Sequence, residues 1–273
     1  MIWVTSRRTI PIASPLVMGI VNVTPDSFSD GGRGADEAIA HGLQLLADGA
    51  DILDIGGEST RPGAEPVPAD EELSRVVPVV RELARQTSVP ISIDTMKPSI
   101  ARACVDLGAE IINDVSGFRD PDMVKAACTA GAGCIVMHMQ GTPQTMQVAP
   151  RYDDVVAEVA AYFDQRLHYL AALGIAPDRL AFDPGIGFGK RTAHNWALIA
   201  GLGELRRTGR PICLGVSRKG FLGKDRAPTD RVVAGLTVAA WAAQTGSADI
   251  IRTHDVRATR DVMTTLQSIG AIP

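Results

Sequence analysis

The stretch Met18-Gly-Ile-Val-Asn-Val-Thr-Pro-Asp-Ser-Phe-Ser-Asp-Gly-Gly32 decides how this chain is read. An apolar run from Leu16 to Val21 delivers Asn22 at its end, then breaks into hydroxyls, two aspartates and paired glycines. Apolar runs bounded by turn residues read as buried strands. Polar groups just beyond such strands sit where α/β proteins build their sites. The pattern recurs: similar runs occupy about 51–55, 89–94, 110–114, 133–138, 179–183, 211–216 and 249–254. With residues 16–22 they make eight.

The intervening stretches carry helical spacing. Leu73, Val76, Val77, Val80 and Leu83 mark one face; Val155, Val159, Phe163, Leu167 and Leu170 another; Ala35, Ala38, Ile39, Gly42 and Leu46 a third. Pro25, Pro62, Pro98, Pro121, Pro184 and Pro228 fall near the boundaries. Eight strands alternating with eight helices predict a parallel sheet, closed as a single-domain TIM (β/α)8 barrel. An open, doubly wound sheet is the alternative, but no Gly-x-Gly-x-x-Gly follows the first strand. The barrel is assigned to residues 16–273, and residues 1–15 to an N-terminal extension.

Composition narrows the function classes. Hydrophobic residues make up 45% of the 273 and aromatics only 4%, which suits small side chains close-packed on buried strands. A net charge of −4 argues against a broad nucleic-acid surface. No apolar run approaches the ~18 residues needed to span a membrane, and the first 15 residues make a poor signal peptide. Cys104, Cys128, Cys134 and Cys213 show no paired zinc or redox spacing, so they read as reduced thiols in a cytoplasmic protein.

The strand ends carry Asn22, Asp54 leading to Glu58, Asp94, Asn113 with Asp114, His138, Asp183, Ser217 to Lys219, and Arg252 with His254. In a barrel these converge on one rim. The competing reading is that each caps the following helix. It fails at the last two ends, because cations are disfavoured at helix N-termini. The rim divides by charge. Asp94, Asn113 and Asp183 are acceptors suited to a planar ring with several N–H donors. Lys219, Arg252 and His254 are cations suited to phosphate or pyrophosphate, which Arg can grip bidentately. Asn22 could offer a neutral oxygen to Mg²⁺. Lys219 could instead form a Schiff base, but its cationic neighbours favour an anion clamp. Residues 24–34 and 56–68 read as polar lid loops.

These motifs resemble, in order, those of the dihydropteroate synthase family, which acts in folate synthesis and is inhibited by sulfonamides. Asn22 to Gly32 is similar to the first signature, and Asp54-Ile-Gly-Gly-Glu-Ser-Thr-Arg-Pro-Gly63 to the second. Ser92-Ile-Asp-Thr95, Ile112-Asn-Asp-Val115, Val136-Met-His-Met-Gln-Gly141 and Asp183-Pro-Gly-Ile-Gly-Phe-Gly-Lys190 follow. Gly215-Val-Ser-Arg-Lys219 and Arg252-Thr-His-Asp-Val256 complete the series. The resemblance implies condensation of 6-hydroxymethyl-7,8-dihydropterin pyrophosphate with 4-aminobenzoate, with Mg²⁺ as cofactor. It implies that Asp94, Asn113, Asp183 and Lys219 bind the pterin, and that Asn22, Arg252 and His254 hold the pyrophosphate, Asn22 with the metal. Thr60, Arg61, Pro62, Phe188 and Ser217 match positions near the aminobenzoate. Asp30, in the first loop with Asp26, matches an aspartate that assists the reaction, and Lys219 and Arg61 are the other catalytic candidates. A homodimer through late helices, such as the one containing Trp241, is also implied; nucleic-acid and membrane partners are not. A pterin-binding methyltransferase domain is the nearest rival, but would lack the Ser-Thr-Arg-Pro-Gly and Ser-Arg-Lys segments. A non-catalytic pterin-binding homologue is the other; Asn22, Asp30, Arg61 and Lys219 argue against it.

Overall fold

The computed structural model describes residues 1–24, 34–61 and 63–273. It begins with a short antiparallel hairpin, β1 (Ile2–Val4) and β2 (Thr9–Pro11), in which Trp3 lies opposite Ile10. The eight apolar runs then form β3 (Leu16–Asn22), β4 (Ile52–Gly56), β5 (Ile91–Asp94), β6 (Ile111–Asp114), β7 (Gly133–Met137), β8 (Leu180–Asp183), β9 (Cys213–Gly215) and β10 (Ile250–Thr253). The helices between and after them are α1 (Gly34–Ala47), α2 (Ala69–Gln86), α3 (Pro98–Leu107) and α4 (Pro121–Ala130), then α5 (Val155–Ala172), α6 (Thr192–Ala200), α7 (Val232–Gln244) and α8 (Val256–Ser268). Each barrel strand is followed by a helix, the connection that parallel neighbours require. Neighbours are parallel from β3 through β8, and β10 pairs with both β3 and β9. A single parallel bridge, Phe182 with Ile212, closes the circle between β8 and β9. The expected barrel is the one observed.

Side chains of period two divide each strand between helices and barrel axis. Val17, Leu53, Ile93, Ile112, Val136, Phe182, Leu214 and Ile251 face outward into the large core beneath the helices. Met18, Ile52, Ile111, Ile135, Ala181, Cys213 and Ile250 form a second cluster inside the barrel. Trp3, Ile10 and Ile12 of the hairpin segment join that inner cluster, and the Trp3 indole donates to the Arg179 carbonyl at 2.8 Å. The hairpin therefore packs into the end of the barrel away from the strand C-termini.

The helix faces follow their spacing with two shifts: in α1 the buried residues are Ala38, Gly42 and Leu45, with Leu46 only half-buried. In α2 the buried apolar residues are Val76, Val79, Val80 and Leu83, while Val77 is only half-buried. Residues 76, 79, 80 and 83 share one side of a 3.6-residue repeat, and position 77 is rotated off it. Val155, Val159, Phe163 and Leu170 are buried in α5 as expected, and Leu167 is half-buried. Pro98 and Pro121 occupy the first helical positions of α3 and α4. Among the described residues, no helix is long and apolar enough to cross a membrane.

Candidate active site

The inward phase of the strands carries upward from the apolar layer to the polar one. Two residues beyond Ile52 comes Asp54; beyond Ser92, Asp94; beyond Ile111, Asn113; beyond Ala181, Asp183; beyond Ile250, Arg252. Each pair points the same way, so a greasy barrel floor ends in a ring of charge at the C-terminal mouth. The alternation also separates two neighbours that the sequence reading grouped together. Asp114 is out of phase with the mouth and binds its own loop, accepting from the Ser116 and Phe118 amides at 2.8 and 2.7 Å. Only Asn113 faces inward.

The mouth is wired around Arg252. Its Nε donates to Asp54 Oδ2 and its Nη2 to Asp94 Oδ2, both at 2.6 Å. Asp54, fully buried, also accepts from Asn113 Nδ2 at 3.1 Å. Asp94, Asn113 and Arg252 thus meet in one place, through a carboxylate that the sequence reading noted at a strand end but gave no role. Its phase relative to Ile52 was the available signal. Burial works against the Arg252 charge, but Asp54 and Asp94 outweigh it and hold the guanidinium above its ordinary value. Burial pushes Asp94 up to about 7, with Arg252 pulling it back and Asp54 adding to the rise.

Asp183 and Lys219 face this cluster. A side-chain carbon on Gly215 would lie 3.9 Å from both Asp183 Oδ2 and Lys219 Nζ, and 4.0 Å from Arg252 Cβ, so carboxylate and ammonium meet over that glycine with the stem of Arg252 beside them. Asp183 Oδ1 accepts from the Gly185 amide at 2.6 Å, and burial pushes its carboxyl upward against the pull of Lys219. Burial pulls Lys219 down to about 8, with Asp183 opposing. Its Nζ donates to the Ile186 carbonyl and stands 4.8 Å from the centre of the Phe188 ring, a cation–π contact. Gly187, at φ +85°, lets the lysine arm lie across the loop: a Cβ there would sit 3.3 Å from Lys219 Cδ.

Ser217 and His254 are joined, the serine hydroxyl lying 3.0 Å from Nδ1 and accepting from the His254 amide at 3.1 Å. Burial, reinforced by Arg252 and Arg218, holds His254 down to about 3. It is therefore a neutral hydrogen-bonding group at pH 7, not the cation its position suggested. Asn22 ends β3, half-buried and paired with Gly56. Thr60 is half-buried and Arg61 exposed on the loop after β4. Asp26, Asp30 and Pro62 lie outside the described residues.

A second feature was not visible in the sequence. Lys190 is buried and donates to His138 Nδ1, to the His138 carbonyl and to the Phe188 carbonyl at 2.9, 3.3 and 3.0 Å. It fastens the loop after β8 to the end of β7, which sets where Phe188 stands. Burial pulls Lys190 well below its ordinary value and takes His138 down to about 2. A lysine closing a glycine-rich run carries no mark of burial, so only the fold reveals it. Beside Phe188, Val115, Met137, Met139 and Met146 form an apolar wall with Met96.

Among the described residues no group of three or more His, Cys, Asp or Glu could hold a metal ion. Inward carboxylates beside Lys219 and Arg252 suit a ligand that joins a donor-rich heterocycle to an anion. Residues 18–254 match the pterin binding enzyme family. The dihydropteroate synthase of Escherichia coli K12 is 45% identical over 264 residues, covering 95% of this chain and 93% of that one. The chain belongs to the dihydropteroate synthase family. A Yersinia pestis dihydropteroate synthase solved with a sulfonamide drug superposes with a TM-score of 0.93 at 42% identity, covering 99% of this chain and 100% of that one. The Xanthomonas albilineans dihydropteroate synthase in complex with 7,8-dihydropteroate gives 0.90 at 44% identity, covering 100% of both chains.

Proposed function

We propose that the protein condenses 6-hydroxymethyl-7,8-dihydropterin pyrophosphate with 4-aminobenzoate, releasing pyrophosphate and forming 7,8-dihydropteroate. The observation that carries this reading is Arg252 bound between Asp54 and Asp94 at one mouth, with Asp183 and Lys219 beside it. Family membership and the product-bound relative support it.

The ring edge would bond to Asp94, Asn113 and Asp183, with Lys219 closing on it from the Phe188 side. Arg252 spends two of its five N–H donors on Asp54 and Asp94, which leaves three, already oriented, for the diphosphate. Neutral His254 and Asn22 would complete that subsite. A Mg²⁺ ion fits as a partner brought with the diphosphate, since it keeps most of its waters and needs few protein oxygens. Asn22 would hold it through its amide oxygen, and when bound it would offset charge on the phosphates.

An aniline nitrogen is a modest nucleophile, so the leaving group must depart readily. The bond between the exocyclic methylene and the diphosphate oxygen breaks with its electron pair going to pyrophosphate, whose growing charge Arg252 and Lys219 offset. Asp94 and Asp183 stabilise the resulting pterin cation. The aminobenzoate nitrogen, held near Thr60, Arg61, Pro62, Phe188 and Ser217, then bonds to the methylene and loses a proton. Asp30 and Arg61 assist the reaction. The reaction is SN1-like.

The chain is read as cytoplasmic, a compartment consistent with four free cysteines, three of them buried. It is read as a homodimer through the α7 side, where Val233 and Trp241 are exposed. The test of function follows pyrophosphate release from the pterin substrate with Mg²⁺, with and without aminobenzoate, and with a sulfonamide competing for its subsite. Dihydropteroate formed in step with pyrophosphate, and only when both substrates are present, is expected. Pyrophosphate release with aminobenzoate present but no dihydropteroate formed would sink the reading.

A further inference from the structure

Behind the mouth, the loop after β4 is tied down by a charge network that touches none of the groups assigned to substrate. Glu58 Oε1 accepts from the Val67 amide at 2.8 Å, closing the base of the loop that carries Thr60 and Arg61. Its other oxygen accepts from Lys97 Nζ at 2.8 Å, and the same ammonium donates to Glu72 Oε2 at 2.5 Å. Glu72, fully buried in α2, takes the Thr95 hydroxyl on Oε1 at 2.7 Å. One turn further along α2, Arg75 donates to the Gly57 carbonyl at 2.7 Å.

Gly57 makes this docking possible. A Cβ there would come within 2.7 Å of Val76 Cγ1 and 3.0 Å of Glu72 Cγ, so any side chain would lift the loop off the helix. Thr95 and Lys97 follow directly on Asp94 at the end of β5. The network thus runs from the strand that supplies a ring-binding carboxylate, through α2, to the base of the aminobenzoate loop. A single ammonium between two carboxylates, one of them wholly buried, contributes little net stability for its desolvation. What it does provide is geometry: each carboxylate uses both oxygens, and each bond fixes one piece of backbone relative to another.

We propose that Glu58, Lys97 and Glu72 are positioning residues that set the height of Thr60 and Arg61 above the mouth, and so the affinity for the second substrate. The inference rests on the reading that Thr60 and Arg61 contact aminobenzoate.

The test uses Glu58→Ala, which removes the tie to Val67 while leaving Lys97 paired with Glu72, and Glu58→Gln, which keeps an oxygen for the Val67 amide. Arg61→Ala is measured beside them. In Glu58→Ala the KM for aminobenzoate rises about tenfold, with kcat within twofold and calorimetric affinity for the pterin pyrophosphate unchanged. Glu58→Gln falls between it and the parent, and hydrogen exchange at Val67 quickens in Glu58→Ala. An unchanged aminobenzoate KM in Glu58→Ala, with Arg61→Ala raising it, overturns the positioning role alone. An unchanged KM in both removes the aminobenzoate reading and the inference with it. Parallel losses of kcat and pterin affinity in Glu58→Ala also overturn it, since the network would then serve only the fold.

Discussion

Replacing Asp94 by asparagine should make the protein more stable at pH 8 while costing it most of its activity. Asp94 Oδ2 is bonded to Arg252, but Oδ1 is buried with no hydrogen-bond partner among the described residues. Burial lifts the carboxyl from its ordinary 3.8 to about 7 despite that arginine. Between those two values the folded protein holds a proton that the unfolded chain has released. Stability therefore falls as pH rises through this window, by about 1.4 kcal/mol per pH unit and by about 4 kcal/mol once pH 7 is passed. Asparagine cannot ionise and keeps an oxygen for Arg252, so its advantage is near zero at pH 4 and approaches that ceiling above pH 7. Even a quarter of it raises Tm by about 2–4 °C in a chain of this size. Thermal melts of both proteins at pH 5 and pH 8 give the comparison, and pyrophosphate release should fall at least ~100-fold, about 2.7 kcal/mol of barrier. A variant less stable than the parent at pH 8, or a gap that ignores pH, would show that the ion pair outweighs burial and that the account of Asp94 is wrong.

Lys219, pulled down to about 8, should lose its proton as pH rises beyond that value, so kcat/KM declines about tenfold per unit above pH 8. The sign for stability is the reverse: between 8 and 10.5 the unfolded chain binds the proton that the fold has shed, and stability rises. Lys219→Arg, which stays charged, should flatten the alkaline limb, and a pH–rate profile unchanged in that variant would exclude Lys219 as its source. Asp54→Asn removes the charge that orients Arg252 and Asn113; kcat/KM should drop about 100-fold, read by pyrophosphate release, and a value within threefold of the parent would refute the bridging role. Trp3→Ala should cost about 3–5 kcal/mol in denaturant unfolding, because the indole is fully buried inside the lower barrel; a loss under about 1 kcal/mol would mean the hairpin is dispensable to the core.

All eight barrel strands were legible because a strand buried on both faces must read as a short apolar run. The polar residue ending each run was legible for the same reason, as it stands out against what precedes it. Direction was harder. Asn113 and Asp114 look equivalent as letters, and only the two-residue phase counted from Ile111 sends one into the mouth and the other into its loop. The same count from Ile52 would have given Asp54 its place. Val77 and Val79 illustrate the helical version, where a valine-rich face offers more candidates than one side of the helix can bury. Charge state was not legible at all. Histidine beside arginine reads as another cation, yet the enclosure around His254 strips its proton. The links among Glu58, Lys97 and Glu72 join residues up to 39 positions apart and leave no local pattern.

The barrel has a seam. β8 and the start of β9 share one bridge pair, Phe182 with Ile212, and residues of the proposed ring site follow both strands: Asp183 and Phe188 after one, Ser217 and Lys219 after the other. Lys219 reaching to Ile186 already laces that seam once. A ring seated between Asp183 and Lys219 would draw the lace tight, so filling the site and cinching the cylinder become one mechanical event.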